Sequence, residues 1–398
     1  MLHRSDRATA AGPEAWAIDV IDADARRQRL RRPRVRTDGN AIRGGVDGRS
    51  VVSFSSNDYL GLSLHPRVRD AAARAAREHG VGATGSRHLS GSHAAMLALE
   101  RRLAALEGTE TATLAPTGYA ANMAVLEALG GTDAVIFSDA LNHASIIDGC
   151  RASRSRVEVY AHRDLDDLDA RLRRCAARPV IVSDAVFSTE ATIADVRELA
   201  SLAQRHGAWL VLDEAHATGV LGPGGAGAAS AAGLPAHDNV VKVVTFSKAL
   251  GASGAAVCGS ARVQQLLLQR GRALIYSTGL AHPVVAAVTA ALAVLEEEPQ
   301  LLDMLRRNTA LAHQLLDGVA DPGHDCALPM LAMTVGSAAR AMRVEAALWQ
   351  AGWMVHALRP PTVPDGTSRL RLTVSALHTQ QDIDDVASAV RSALAATT

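Results

Sequence analysis

The stretch 241-VKVVTFSKALGASGAAVCGS-260 places Lys248 between an apolar run and a series of small residues. Lysine is rarely buried, because removing its ammonium group from water is costly unless a partner compensates. One interpretation is a surface lysine at the end of a strand. The other is a lysine kept to form an imine with a carbonyl compound, its pKa lowered by its surroundings. The remaining sequence has to decide between the two.

Composition excludes several classes of partner. The 398 residues carry 41 basic and 41 acidic side chains, so the chain lacks the basic surface typical of nucleic-acid or anionic-membrane binding. The longest apolar run, 284-VVAAVTAALAVL-295, is too short to span a bilayer. The N-terminal residues lack the apolar core of a secretory signal. We therefore expect a cytoplasmic protein that binds neither membranes nor nucleic acid.

The cysteines indicate a reducing compartment. They are scattered, without a CxxC pair or another metal-type spacing, which argues against disulfides and predicts no metal site. Their positions are Cys150, Cys175, Cys258 and Cys326.

Short apolar strands alternate with helical patterns between about residues 95 and 280. Several strands are apolar throughout, which is typical of a parallel sheet covered by helices on both faces. The strands are 111–114, 134–139, 156–160, 179–184, 208–215 and 241–246. We expect an N-terminal helical arm (1–50), a large α/β domain (51–289) and a small C-terminal α+β domain (290–398).

Two GxGxxG patterns, 80-GVGATG-85 and 222-GPGGAG-227, raise the alternative of a dinucleotide site. That fingerprint needs a strand directly before it and a helix directly after it. The first follows a helical pattern, and the second lies several residues beyond its strand with Pro223 in the turn. Plain turns explain both patterns better.

Two segments place polar groups at strand ends. In 115-APTGYAANMAVLEALG-130, Gly118 opens a helix whose free N–H groups suit a phosphate, although Thr117 as an ordinary helix cap explains the segment equally well. In 138-SDALNHASIIDG-149, His143 follows a strand at the sheet edge where α/β folds bind ligands. A hydrogen-bonding loop histidine is the alternative there.

A third segment, 209-WLVLDEAHATGV-220, delivers Asp213 and His216 from a strand end. The aspartate either caps the following turn or holds a pyridinium nitrogen protonated, which makes a pyridoxal ring an electron sink. Together with a phosphate loop, a histidine and Lys248, these residues are the parts of a pyridoxal phosphate enzyme. The set indicates that function more strongly than any member alone.

The sequence resembles the α-oxoamine synthase family of fold-type I pyridoxal phosphate enzymes, from about Val51 to the C-terminus. This resemblance implies a large domain with a mostly parallel seven-stranded sheet and a smaller C-terminal α+β domain. The motifs that carry it are 53-SFSSNDYLGLSLHP-66, 82-GATGSRHLSGS-92, 117-TGYAAN-122, 213-DEAHATGVLG-222, 245-TFSKALGASG-254, 275-IYSTGL-280 and 359-RPPTVPDGTSRLRLT-373.

The resemblance implies how the cofactor is held. Lys248 would form the imine and later move the α-proton, while Asp213 would pair with the pyridine nitrogen and His143 would stack on the ring. These residues and His216 form the implied catalytic set. The other implied cofactor contacts are Gly118, Tyr119, Ser188, Thr245, Ser247 and, lent to the neighbouring subunit of a homodimer, Thr278 with Tyr276 and Ser277.

The resemblance also implies the substrates. Arg371 would bind the amino-acid carboxylate through a paired, charge-assisted contact, unless it is a surface strand arginine. The other implied substrate contacts, besides His143, are Arg31, Asn57, Arg359 and Thr362. Residues 359–373 are most like the biotin-pathway branch, which condenses L-alanine with a pimeloyl thioester of coenzyme A or of a carrier protein.

Alternatives stay open at this point. The loop 187-FSTEATIADV-196 has Glu190 and Ala191 where the family has aspartate and glycine, and Ala217 replaces a glycine. These departures leave acyl-chain preference open, so a related synthase using glycine or another acyl group is the second hypothesis. A non-catalytic protein of this fold is a third, against which the intact set of Lys248, Asp213 and His143 argues.

Overall fold

The computed structural model describes residues 12–27, 29–234 and 239–397. The helices within them are α1 (Pro13–Arg26), α2 (Pro66–His79), α3 (Arg87–Ser90), α4 (Ala94–Glu107), α5 (Gly118–Leu129), α6 (Ala144–Ala152), α7 (Leu165–Leu172), α8 (Val196–Arg205), α9 (Gly227–Ala231), α10 (Ala261–Arg270), α11 (Arg272–Ile275), α12 (His282–Glu297), α13 (Gln300–Leu315), α14 (Ala338–Gln350) and α15 (Gln380–Ala395).

The strands follow the same order along the chain. They are β1 (Arg43–Val46), β2 (Arg49–Ser53), β3 (Thr111–Ala115), β4 (Ala134–Asp139), β5 (Arg156–Tyr160), β6 (Arg178–Asp184), β7 (Val186–Phe187), β8 (Thr192–Ile193), β9 (Trp209–Asp213), β10 (Val240–Thr245), β11 (Ala255–Gly259), β12 (Met330–Gly336), β13 (Trp353–Met354), β14 (His356–Leu358) and β15 (Ser368–Thr373).

A seven-stranded sheet forms the centre of the molecule, in the order β3-β11-β10-β9-β6-β4-β5. Strands β10, β9, β6, β4 and β5 pair in parallel, whereas β11 pairs antiparallel with both β10 and β3. Only β11 therefore runs against the other strands of this sheet. Every residue of β4 and β10 is buried, which explains why both strands are mostly apolar, although β10 also contains Lys242.

The direction of these strands positions the polar residues. Parallel strands deliver their carboxyl ends to one edge of a sheet, where α/β folds bind ligands. Strands β6, β9 and β10 end at that edge with Asp184, Asp213 and Thr245. Helix α5 starts beside it, with the Thr117 side chain accepting a hydrogen bond from the Ala120 N–H at 3.0 Å.

A second, antiparallel sheet has the order β12-β15-β14. Its buried face forms a separate apolar cluster with α13, α14 and α15, which includes Leu331, Leu370 and Val386. Phe54, just after β2, packs in the same cluster. The N-terminal strands β1 and β2 pair with each other, and β2 pairs in parallel with β13. The first residues of the predicted large domain thus lie against the C-terminal part of the chain.

The predicted fold class is confirmed, with corrections at two elements. Strand β11 lies inside the opening stretch but escaped prediction, because its small residues follow a glycine-rich loop. Helix α1 ends at Arg26, and strand β1 lies within the N-terminal arm that was expected to be helical. The predicted division at residue 290 falls within α12, and the three-part division stays a prediction. Among the described residues, none of the helices has the length and apolar character needed to cross a bilayer.

Candidate active site

Lys248 lies in a compact loop between β10 and β11. The Phe246 N–H donates to the Gly254 carbonyl at 2.9 Å, and the Gly251 N–H donates to the Lys248 carbonyl at 2.9 Å. Gly251 has a φ of 63°, and a Cβ there would lie 2.1 Å from the Ser63 backbone nitrogen. Only glycine allows this approach, which fixes the loop against the segment after β2.

The environment of the Lys248 amine lowers its pKa. Burial has the largest effect and Arg371 adds to it, while Asp213 and Asp184 oppose it, leaving the pKa of Lys248 at about 8. An appreciable fraction of the side chain is therefore a neutral amine near neutral pH. The interpretation of Lys248 as a surface lysine is therefore wrong, because its side chain is half-buried.

Two buried carboxyl groups lie side by side near Lys248. Asp184 and Asp213 are paired residues of β6 and β9. Asp213 accepts hydrogen bonds from Asn122 Nδ2 at 2.6 Å and from the Ala215 N–H at 2.9 Å. Asp184 accepts a hydrogen bond from the backbone N–H of His143 at 2.7 Å. Burial and the neighbouring Asp213 raise the pKa of Asp184 well above its usual range.

His216 is held in place by Tyr59. The Tyr59 hydroxyl and His216 Nδ1 are 2.6 Å apart. Burial raises the pKa of Tyr59 to about 12 and lowers the pKa of His216 well below its usual range. A neutral phenol and a neutral imidazole therefore share one hydrogen bond, which orients the His216 ring.

His143 begins helix α6 and lines the same cavity as Lys248. Its Nδ1 accepts the Ser145 N–H at 3.2 Å, so the ring caps the helix. Burial lowers the pKa of His143. His143 thus has the hydrogen-bonding role that the sequence offered as an alternative. The same contact fixes its ring at the cavity wall.

Donors for an anion lie at the opposite end of the cavity. The first N–H groups of an α-helix, here those of Gly118 and Tyr119, have no partner within the helix. Gly118 leaves the approach open, because a Cβ there would be 3.6 Å from the nearest atoms, those of Thr245. The Thr245 and Ser247 hydroxyl oxygens are 2.9 Å apart. Backbone and hydroxyl groups therefore converge as a phosphate site requires.

These groups surround one cavity of about 270 Å³. Nine of the predicted cofactor residues line it: Gly118, Tyr119, His143, Ser188, Asp213, His216, Thr245, Ser247 and Lys248. An amine of lowered pKa, a buried carboxylate and a set of anion donors fit pyridoxal phosphate at its aldehyde, its ring nitrogen and its phosphate. Thr278 lies apart, in a different cavity with Arg87 and Gln264.

Arg371 is turned inward rather than toward water. Its Nη2 donates to Asn57 Oδ1 at 2.5 Å. Its Nε is buried and has no hydrogen-bond partner among the described residues. A buried, unpaired donor of a permanently charged guanidinium is suited to a carboxylate ligand.

The other predicted substrate residues lie elsewhere. Arg31 Nη2 donates to Thr362 Oγ1 at 3.1 Å, and Arg359 Nη2 donates to the Leu30 carbonyl at 2.6 Å. All three side chains line a second cavity of about 710 Å³. The structure therefore gathers Arg31, Arg359 and Thr362 with one another but not with Lys248.

Three residues of the site escaped prediction from the sequence. Asp184 ends an apolar strand as Asp213 does, and this repeated pattern offered a signal. Asn122 lies within a quoted motif, but nothing in its spacing indicates the contact with Asp213. Tyr59 reaches His216 across 157 residues of chain, so only the fold brings them together.

The loop 187–196, whose sequence differs from the family pattern, also contacts the site. Glu190 lines the Lys248 cavity and lies 3.3 Å from Arg369 Nη1. Ala191 has a φ of 55°, in the left-handed region that favours the glycine usual in the resembling family.

Comparison with known proteins agrees with this geometry. The family model for aminotransferase class I and II matches residues 49–390. An 8-amino-7-oxononanoate synthase from Anaeromyxobacter dehalogenans is 45% identical over 382 residues, which is 95% of this chain and 94% of that protein.

Two solved structures are similar across most of the chain. A serine palmitoyltransferase from S. paucimobilis, with pyridoxal phosphate and myriocin bound, has a TM-score of 0.90 at 28% identity, covering 97% of this chain and 99% of that one. An 8-amino-7-oxononanoate synthase from Francisella tularensis has a TM-score of 0.75 at 26% identity, covering 87% and 98%. The chain therefore has the fold-type I architecture and belongs to the aminotransferase class I and II family of pyridoxal phosphate enzymes.

Proposed function

We propose that this protein is an acyltransferase that condenses L-alanine with a pimeloyl thioester, forming 8-amino-7-oxononanoate for biotin biosynthesis. The observation that carries the proposal is the gathering of Lys248, Asp213 and His143 around one cavity, in a chain 45% identical to a synthase of that name. The new carbon–carbon bond joins the alanine α-carbon to the thioester carbonyl carbon. The thiol leaves, and the alanine carboxylate departs as carbon dioxide.

The residues supply binding and proton transfer. Bound pyridoxal phosphate provides the electron sink that stabilises negative charge at the substrate α-carbon. Asp213, oriented by Asn122 and the Ala215 N–H, would pair with the ring nitrogen and keep it protonated. Lys248 Nζ has a pKa of about 8, so it can take a proton from the α-carbon and return it near neutral pH.

The amino-acid carboxylate binds at Arg371 in this proposal. Its unpaired Nε offers a donor beside the Lys248 cavity, and the Asn57 contact orients the guanidinium. The thioester would approach through the larger cavity that Arg31, Arg359 and Thr362 line. Its volume of about 710 Å³ is appropriate for an extended acyl chain.

We propose a homodimer with shared sites as the active form. Thr278 lies away from Lys248 within one chain, and Tyr276 beside it is 73% exposed. Both observations suit residues that reach a neighbouring subunit. The cytoplasmic location indicated by composition stays a prediction.

A related condensation is the second candidate. The solved serine palmitoyltransferase has the higher TM-score, 0.90 against 0.75 for the solved 8-amino-7-oxononanoate synthase. Glu190 lies in the cavity wall where the resembling family has an aspartate, and its longer side chain affects the space for the substrate. This candidate uses serine or glycine and a different acyl thioester.

A substrate panel distinguishes the two. Purified enzyme with pyridoxal phosphate is given L-alanine, glycine or L-serine, each with pimeloyl or palmitoyl thioester, and the aminoketone product is measured by mass spectrometry. The proposal expects product above background with L-alanine and pimeloyl thioester. Product only with another pair would move the assignment to the second candidate.

A further inference from the structure

Three side chains that can bind a metal meet outside the Lys248 cavity. His313 lies near the end of α13, and His324 and Cys326 lie in the loop before β12. One ligand atom from each lies within 4.8 Å of the others. None of the three lines the Lys248 cavity, so the catalytic site does not account for them.

His313 presents a buried nitrogen without a partner. The residue is 7% exposed. Its Nε2 donates to the Leu328 carbonyl at 3.0 Å, while its Nδ1 is buried and finds no hydrogen-bond partner in the described part of the chain. Since Nε2 carries the hydrogen, Nδ1 has a free lone pair.

His324 is oriented in the matching way. Its Nδ1 donates to the Asp321 carbonyl at 2.6 Å, which leaves the lone pair on Nε2. Cys326 Sγ lies 3.8 Å from that Nε2. A carbonyl that fixes the second ring nitrogen is the usual support for a metal-binding histidine, and here both histidines have one.

We propose that His313, His324 and Cys326 form a binding site for Zn²⁺. Two neutral imidazoles and a thiolate match the nitrogen and sulfur ligands that zinc prefers, with water in the fourth position. The thiol proton passes to solvent when the metal binds.

The distances allow this assignment once the His324 ring has reoriented. A tetrahedral zinc places nitrogen and sulfur ligands roughly 3.3–3.6 Å apart. The Cys326–His324 separation of 3.8 Å is already close to that range. The His313 and His324 rings are stacked with centroids 4.7 Å apart, so the half-buried His324 ring must tilt for both lone pairs to converge.

Neighbouring contacts hold the loop in place. Asp321 accepts hydrogen bonds from the Thr334 N–H at 2.6 Å and its hydroxyl at 2.8 Å. Asp325, between two proposed ligands, accepts the Ile193 N–H at 2.7 Å. The ligands are thus presented by an anchored loop, which lowers the conformational entropy lost on binding. The scattered cysteine spacing predicted no metal site, because the cluster forms only through tertiary contact.

Zinc titration of the holoenzyme tests the site. Protein freed of metal by chelation is titrated with ZnCl₂ by isothermal titration calorimetry. We expect one Zn²⁺ per chain, and a dissociation constant raised at least about tenfold in Cys326→Ser and in His324→Ala. Cys326 is exposed, so its substitution leaves the fold intact. The matched control is Cys175→Ser, a free cysteine elsewhere, which should bind zinc as the wild type does.

Alkylation gives a second measurement. Zinc should slow the reaction of Cys326 with iodoacetamide in the wild type but not in His324→Ala. The assignment is overturned if zinc does not bind stoichiometrically, or if Cys326→Ser binds it as tightly as the wild type. Zinc bound instead by His79, His93 and His282, whose rings contact one another, would leave the affinity of Cys326→Ser equal to that of the wild type.

Discussion

At the scale of single residues, the site depends on how charge is divided between two adjacent carboxyl groups. Asp184 and Asp213 end neighbouring strands, and two negative charges so close together in a buried place repel each other. The pKa of Asp184 is raised, which favours a proton on Asp184 and relieves this repulsion. Asp213, which accepts two hydrogen bonds, is the carboxyl group that we assign to the cofactor nitrogen.

The two carboxyl groups should therefore respond differently to the same substitution. Asp184→Asn resembles the protonated acid and can still accept the His143 N–H, so activity should stay within about fivefold of wild type. Asp213→Asn removes the charge and should lower kcat/KM at least about 100-fold. Steady-state assays of both variants measure this. Equal losses would show that the charge is not localised on Asp213.

Arg371 should act in substrate binding. Arg371→Lys keeps the charge but loses the planar pair of donors, so KM for the amino acid should rise about 10- to 100-fold. Affinity for the cofactor should be unchanged. Arg391→Lys, an exposed arginine on α15 that contacts the Leu315 carbonyl, is the matched control. A fall in kcat with unchanged KM would contradict the role assigned to Arg371.

At the scale of secondary-structure elements, His378 links the end of β15 to β2. Its Nδ1 accepts the Ser375 N–H at 3.0 Å, and its Nε2 donates to the Ser53 carbonyl at 3.1 Å. The ring stacks on Phe54 with centroids 3.9 Å apart. Burial lowers the pKa of His378 to about 4. Protonation would also place a hydrogen on Nδ1, where it would face the Ser375 N–H.

This contact makes stability depend on pH. The unfolded chain protonates His378 near pH 6.5, whereas the folded protein resists protonation until about pH 4. The unfolded state thus binds more protons in that window, so stability falls as pH falls. Between pH 6.5 and 5.0, wild type should lose about 2 kcal/mol more than His378→Gln. Urea unfolding at both pH values measures this, and equal losses in the two proteins would contradict it.

The elements show what sequence can and cannot predict. Strands β4, β6, β9 and β10 are visible in the sequence because burial on both faces leaves short segments that are mostly apolar. Strand β11 is not visible, because alanine and glycine carry little periodic signal. Lys248, Asp213 and His143 could be found from their places at strand ends. The contacts of Asn122 and Tyr59 could not, since they join segments that are distant along the chain.

At the scale of the whole molecule, a single chain does not bring all the predicted cofactor residues together. Thr278 lines a cavity separate from that of Lys248, and the neighbouring Tyr276 is exposed. A two-fold dimer presents the same patch from both subunits, so each could complete the other's site. The proposed homodimer depends on this arrangement.

Mixing two inactive variants tests shared sites. Lys248→Ala and a bulky Thr278→Trp variant should each be nearly inactive alone. After mixing and subunit exchange, a heterodimer retains one site with both native residues, so activity should return to about a quarter of wild type. Sedimentation of each variant confirms that it still dimerises. No recovery, despite exchange followed with an affinity tag, would show that Thr278 does not act across the interface.

The central claim is that Lys248 holds the cofactor, and the composition of the chain makes this directly measurable. The sequence contains only two lysines, Lys242 and Lys248. Lys242 is buried in β10 and donates to the Glu107 carbonyl at 2.6 Å. Borohydride reduction of the enzyme with pyridoxal phosphate, followed by peptide mass mapping, identifies the lysine that carries the cofactor. We expect the reduced pyridoxyl group on Lys248. A label on Lys242, or on neither lysine, would contradict the account.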